Sequence, residues 1–291
     1  DMQDSRLSLA GAQSKTGWFL PRGKDAKKAG SGDWMLPLGS APSTHIVKIA
    51  STKHPDLPFN ELICMTAASA AGLEIARSEA SDTIPGAFFS ERYDRIWSNE
   101  PPSMSGFDVP LRLHQEDFCQ AVGWPSYMKY ETRPDSCYMV LCGRLIREQS
   151  SNVIADTQMF ARQVMVDYAL GNCDSHLKNH SFLYSPSWRE KRLAPAYDII
   201  CTTITGYDHN LGIDIGDHRV IDGVTPEDFE FMSQDLHLPL KMIKNIAAEV
   251  AEGVSAQLAE LASATGDLGR VALKIQTDSV ERMRVLEQFS A

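Results

Sequence analysis

Residues 171–179 read GNCDSHLKN and directly follow a stretch, 156–170, whose apolar residues recur at helical spacing. Within it, Asp174 and Asn179 form D-x-x-x-x-N. Downstream, 181–200 (SFLYSPSWREKRLAPAYDII) consists of two short apolar stretches around a polar turn, which predicts a hairpin whose second stretch ends in Tyr197-Asp198. A carboxylate and an amide five residues apart, then a hairpin, then a second carboxylate form a set suited to phosphoryl transfer. Asp174 would orient an attacking hydroxyl and accept its proton, while the Asn179 amide oxygen and the Asp198 carboxylate would hold Mg²⁺ on the phosphates. Hard oxygen ligands suit Mg²⁺, which takes only one or two carboxylates from a protein. D-x-x-x-x-N alone is common by chance; its place between a long helix and a hairpin ending in Asp is what gives it weight.

Neighbouring residues add detail. His176 and His180 are spaced H-x-x-x-H, but the intervening LKN supplies no Glu and no third ligand stands out, so zinc is not the expectation. His176 is read as a prop for the loop through a hydrogen bond. Lys178, between the two key residues, is a candidate to neutralise charge on the transferred phosphate, with an exposed lysine as the plain alternative.

Upstream, 8–15 reads SLAGAQSK. It lacks the GK[ST] of a Walker A loop, yet the small residues Ala10, Gly11 and Ala12, followed by Gln13 and Lys15, would let backbone N–H groups approach phosphates. A hairpin turn explains the same residues equally well. THIVKIA (44–50) alternates as a strand and carries Lys48. NELICMTAASAAG (60–72) reads as a helix closed by Gly72 and carries Glu61. A strand lysine pairing with nucleotide phosphates and a helix glutamate pairing with that lysine appear in the order a kinase uses. FFSERYDR (88–95) would close the β-rich region and supply a hinge at Glu91 and Tyr93, reading adenine through main-chain groups. After about residue 105 the pattern becomes helical: QEDFCQAVG (115–123) with a glycine stop, 135–149, 156–170, and helices from 226 to the end. The expected organisation is α+β and bilobal: 1–95 a β-rich nucleotide-binding lobe, 96–291 a helical lobe with the catalytic and metal-binding loops.

Bulk properties agree. The 291 residues suffice for two lobes around a cleft. A net charge of −10 argues against extensive direct nucleic-acid binding. The six cysteines include no C-x-x-C pair, as expected of reduced thiols in a cytoplasmic protein. No apolar run approaches the roughly 20 residues that span a bilayer, and no signal peptide is read, so no membrane role is expected.

The chain resembles the HipA-type serine/threonine kinases, the toxins of bacterial HipBA toxin–antitoxin modules. The resemblance runs over nearly the whole chain and is carried by SLAGAQSK, THIVK, the NE pair at 60–61, ERYDR, RLHQEDFCQ (112–120), KYE (129–131), GNCDSHLKN and PAYDII (195–200). It implies a bilobal protein kinase-like fold using ATP and Mg²⁺, with Asp174 as base, Asn179 and Asp198 as metal ligands and Lys48 as nucleotide lysine. It also implies that Ser8 is the loop serine such kinases autophosphorylate in self-inactivation. A phosphoserine carries about −1.5 to −2 charges and would repel nucleotide from a phosphate-cradling loop. Family members phosphorylate an aminoacyl-tRNA synthetase and bind a HipB-like antitoxin, through which DNA is reached only indirectly. The chain starts at Asp1, and the loop follows so soon that the N-terminal subdomain usual in the family has been trimmed, is a separate polypeptide, or never existed. Rival readings are a small-molecule phosphotransferase and an inactive kinase-fold module acting with an antitoxin.

Overall fold

Antiparallel pairing of strands β1 (Ser14–Trp18) and β2 (His45–Ile49) places Lys15 opposite Lys48. The computed structural model describes residues 14–22, 34–80, 86–132 and 136–291. After β2 comes helix α1 (Leu57–Ala70), then β3 (Ser78–Ala80) and β4 (Ala87–Glu91). The four strands form one sheet in the order β1-β2-β4-β3. Helix α1 begins three residues before the expected start, since Pro58 fits its first turn, where no backbone N–H is required.

The next segment differs from the helical expectation. Residues 95–117 form short paired strands: β5 (Arg95–Ile96) with β8 (Leu111–Arg112), β6 (Ser103–Met104) with β7 (Phe107–Asp108), and β9 (Gln115–Asp117). QEDFCQ is therefore split. Its first three residues extend because they pair with a later strand, and only helix α2 (Phe118–Ala121) is helical, capped by reciprocal bonds between Asp117 and Gln120.

Helices α3 (Tyr138–Gln149) and α4 (Val153–Leu170) follow, as the periodicity indicates. Strands β10 (Ser181–Tyr184) and β11 (Lys191–Leu193) form the expected hairpin, with β9 added at the edge. Asp198 does not end that second strand. It lies five residues beyond β11, in a loop, with φ +61°. A second hairpin, β12 (Asn210–Ile215) and β13 (His218–Val220), was not anticipated from the sequence. Helices α5 (Pro226–Asp235), α6 (Leu240–Ala262) and α7 (Gly266–Ser290) complete the chain.

Two packing features position the site. Helix α1 falls between two strands of the small sheet in sequence but is buried in the main helical core, where Ile63, Met65 and Ala67 join Val250, Val254 and Ile275. The approach is so close that a Cβ on Gly253 of α6 would lie 2.6 Å from the Ala70 carbonyl oxygen. Beside it, Ala196 N–H donates to Glu74 O at 2.8 Å and Ala76 N–H to Ala196 O at 2.9 Å. These bonds tie the segment leading to Asp198 to the segment leading into β3.

Candidate active site

Lys48 is buried on β2, and its ammonium is held between two carboxylates. It donates to Glu61 Oε1 of α1 at 2.6 Å and also contacts Asp198 Oδ1. Burial alone would lower the lysine pKa, but the two carboxylates outweigh it and hold Lys48 protonated beyond its ordinary range. For Asp198 burial works upward, and the Lys48 charge wins, bringing the carboxyl to about 2. Glu61 goes the other way: burial, with Asp198's charge adding to it, pushes it up to about 7 against the pull of Lys48. At neutral pH, Lys48 and Asp198 are thus firmly charged, and Glu61 is the member whose charge burial opposes and Lys48 sustains. Lys15 adds positive potential to both carboxylates, as its register opposite Lys48 allows.

The loop after α4 is built by its own residues. Gly171 ends the helix at φ +72°, and a Cβ there would lie 2.8 Å from an Arg282 nitrogen. Asp167, in the helix's last turn, accepts from Asn172 Nδ2 and Ser175 Oγ, both at 2.7 Å. It has no cationic partner in these bonds, and burial pushes it up to about 7. Asn172 Oδ1 in turn receives the Asp174 N–H at 3.2 Å. Sequence reading missed Asp167; its one signal was a carboxylate at a position where the helix is otherwise apolar.

KYE at 129–131 braces the same loop from outside. The Lys129 carbonyl accepts from Leu177 N–H at 3.2 Å, and the Tyr130 hydroxyl donates to Asp174 Oδ1. Buried Glu131 accepts from the backbone N–H groups of Tyr138 and Asp214, both at 3.0 Å, locking α3 and β12 to the brace. From β12, Gly212 presses on the loop; a Cβ there would lie 2.7 Å from the Ser175 carbonyl carbon.

Asn179 and Asp198 are brought together by their neighbours. The Tyr197 hydroxyl donates to Lys178 O at 2.7 Å, stapling the residue before Asp198 to the residue before Asn179. Asn179 N–H donates to His176 O at 2.8 Å and the Asn179 side-chain oxygen accepts from His176 N–H at 3.4 Å, so a tight turn sets the amide. Asp198 is in the left-handed region, which Asp tolerates better than bulky residues.

Other expectations change. Lys178 does not present an unpaired ammonium: it donates to Asp117 Oδ2 at 2.6 Å. The His176 ring makes no hydrogen bond among the described residues; it packs edge-on against Tyr130 at 5.0 Å, and burial lowers it to about 3. Its prop to the loop is therefore its backbone and its ring packing. His180 is also neutral, lowered to about 3 by burial. At the hinge, Glu91 N–H is already donated to Arg77 O at 2.7 Å, which leaves its carbonyl, while Tyr93 N–H makes no hydrogen bond among the described residues. The Tyr93 ring turns inward against Tyr197, 5.7 Å between centroids. Lys15, Lys48, Glu61, Tyr93, Tyr197 and Asp198 all line one cleft of about 190 Å³. Ser8, Ala10, Gly11, Ala12 and Gln13 lie outside the described residues.

The donor set fits Mg²⁺: one carboxylate held ionised by Lys48 and one amide oxygen. Among the described residues, no three His, Cys, Asp or Glu side chains gather as a metal site, and such a two-donor set falls below that count. Five of the cysteines are buried and Cys137 is exposed, all of them free.

A small sheet with a Lys–Glu pair, joined to a helical body carrying Asp174, Asn179 and Asp198, defines a protein kinase-like α+β chain. The family model for the HipA-like C-terminal domain matches residues 7–258, and the chain belongs to that family. It is 28% identical over 267 residues to the serine/threonine-protein kinase toxin HipA of Shewanella oneidensis, covering 88% of this chain and 57% of that protein. It is also 28% identical over 265 residues to Y4mE of Sinorhizobium fredii, covering 90% of this chain and 59% of that protein. The chain thus spans under two thirds of the length of these curated relatives. Among solved structures, it superposes on HipA of Shewanella oneidensis MR-1, from a complex with HipB and operator DNA, with a TM-score of 0.77 and 23% identity. That match covers 98% of this chain and 67% of the other. The Helicobacter pylori proinflammatory kinase CtkA matches with a TM-score of 0.51 at 10% identity, over 87% of this chain and 93% of the other. No helix among the described residues is long and apolar enough to cross a membrane.

Proposed function

We propose that this chain is a HipA-type serine/threonine kinase, transferring the γ-phosphate of Mg-ATP to a hydroxyl on a protein in the cytoplasm. The observation that carries this reading is Lys48 held between Glu61 and Asp198 in the cleft that Tyr93 borders. On this reading residues 1–95 serve the nucleotide and 96–291 carry the catalytic and metal-binding loops. Lys48 binds phosphate oxygens, the Glu91 carbonyl and Tyr93 N–H read adenine, and Asn179 and Asp198 hold the metal. Mg²⁺, when bound, screens the charge of the phosphates. Asp174, aimed by Tyr130 and Asn172, accepts the acceptor hydroxyl's proton as its oxygen bonds to the γ-phosphorus. The bond to the leaving oxygen of ADP breaks with its electron pair.

The target class is an aminoacyl-tRNA synthetase, whose phosphorylation would halt translation. The partner is a HipB-like antitoxin that reaches DNA in its own right. Ser8 is the autophosphorylated, inactivating residue. These assignments rest on the family alone.

The test is incubation with γ-labelled ATP, Mg²⁺ and a cell lysate, followed by phosphosite mapping. Label is expected on a protein serine or threonine and on Ser8, lost in Asp174→Asn and Asp198→Asn with melting temperature retained. Full labelling by either variant would refute the assignment of roles, and label on a metabolite alone would identify a small-molecule phosphotransferase.

A further inference from the structure

Lys178 was the sequence's candidate for the cation that meets the transferred phosphate, and its ammonium is committed to Asp117. Lys48 is likewise committed, to Glu61 and Asp198. Lys129 differs from both. It stands beside Asp174, because its neighbour Tyr130 bonds the Asp174 carboxylate and its own carbonyl holds Leu177 N–H of the loop. Its ammonium lies 4.7 Å from the Tyr130 ring centroid, on an aromatic face rather than on a carboxylate. Among the described residues no Asp or Glu oxygen comes within ion-pair distance of it. Its charge nevertheless acts on the site: burial lowers its pKa, and Asp174 is the first group opposing that shift, with Asp198 also opposing it.

An ammonium that is half-buried, parked on a ring and near two carboxylates is placed for an anion that arrives later. The acceptor side of Asp174 is where negative charge spreads over the phosphoryl oxygens during transfer. Parking on a π-face holds the side chain in place without neutralising it, so little must be broken when phosphate arrives.

We infer that Lys129 is a further catalytic residue, which contacts the transferring phosphoryl group on the Asp174 side and stabilises its charge. This rests on the kinase reading above. It moves to Lys129 the role that sequence spacing suggested for Lys178, and it makes KYE both a brace and a source of charge.

The experiment compares wild type, Lys129→Met, Lys129→Arg and Lys178→Met. Turnover is followed by transfer of label from γ-labelled ATP, and Mg-ATP affinity by calorimetry. Removing one preorganised charge-stabilising donor costs about 10²-fold or more in kcat. Lys129→Met is therefore expected to lose about 10²-fold in kcat with nucleotide affinity nearly unchanged. Lys129→Arg, which keeps the charge, should recover much of the loss, and Lys178→Met should lose clearly less than Lys129→Met. Lys129→Gln serves if the Met variant melts early.

Equal turnover in wild type and Lys129→Met would overturn this assignment alone, as would a defect confined to nucleotide affinity, an arginine that rescues nothing, or a larger loss in Lys178→Met. A wild-type chain that transfers no label would overturn the kinase reading together with it.

Discussion

Replacing Gly212 by alanine tests whether β12 sets the position of the catalytic loop. The added Cβ would lie 2.7 Å from the Ser175 carbonyl carbon, whereas ordinary contact begins near 3.4 Å. The Ser175 carbonyl oxygen is met more closely still, so strand and loop must part by on the order of 1 Å. The strand is poorly able to yield. Leu211, Ile213 and Ile215 are buried in the core, and the Asp214 N–H is bonded to Glu131. The loop gives way instead, carrying Asp174 with it. A 1 Å misplacement costs on the order of 10²-fold in rate, so kcat should fall roughly 10- to 100-fold. Overpacking should cost about 1–3 kcal/mol of stability. Label transfer at saturating Mg-ATP, with chemical denaturation alongside, measures both. A variant that loses stability but keeps full kcat would show that the strand moves and the loop does not, which would refute the reasoning.

Asp167→Asn addresses the pH dependence of the fold. A carboxyl at about 7 in the folded chain and 3.8 otherwise binds more protons folded than unfolded in between. Its contribution is complete at low pH and is lost as pH rises towards 7, by a few kcal/mol at most, at about 1.36 kcal/mol per pH unit. Asparagine cannot ionise, so its variant should lose less stability than wild type between pH 5 and 8 in urea titrations; parallel curves would contradict this. Tyr197→Phe removes the donor to Lys178 O, at a cost of about 1–2 kcal/mol. It should raise the Mg²⁺ concentration needed for half-maximal label transfer, and an unchanged Mg²⁺ midpoint would show that the staple does not align the metal ligands. Glu61→Gln weakens the partner of Lys48 and should lower Mg-ATP affinity by about 10-fold, consistent with the worth of a charge-assisted bond; calorimetry reads it directly.

Much of the site was legible because its order is local. A helix, D-x-x-x-x-N and a hairpin lie within one short run, and the Lys48 strand is followed closely by the Glu61 helix. What escaped depends on distant partners. Asp117 is extended rather than helical because it pairs with Ser181, and no periodicity within 115–123 reveals that. Gly212 reads as an ordinary residue until the loop it touches is placed beside it. Lys178 looked catalytic by spacing, and only the approach of Asp117 shows its ammonium to be engaged. KYE carried family resemblance without a role, since Tyr130 and Asp174 are far apart in sequence.

The helix bearing Glu61 is anchored by α7, whose Arg270 lies 214 residues further along the chain than its partner Asp56. Arg270 of α7 donates to both oxygens of Asp56, the residue just before α1, at 2.7 and 2.9 Å, and α1 lies buried against α6 and α7. Disturbing α7 would therefore loosen the core under Glu61, where Val271, Ala272 and Ile275 pack, and would also free Gly171 from the Arg282 guanidinium at the start of the catalytic loop. A lesion in α7 would thus handicap the Lys48–Glu61 pair and the catalytic loop from a distance.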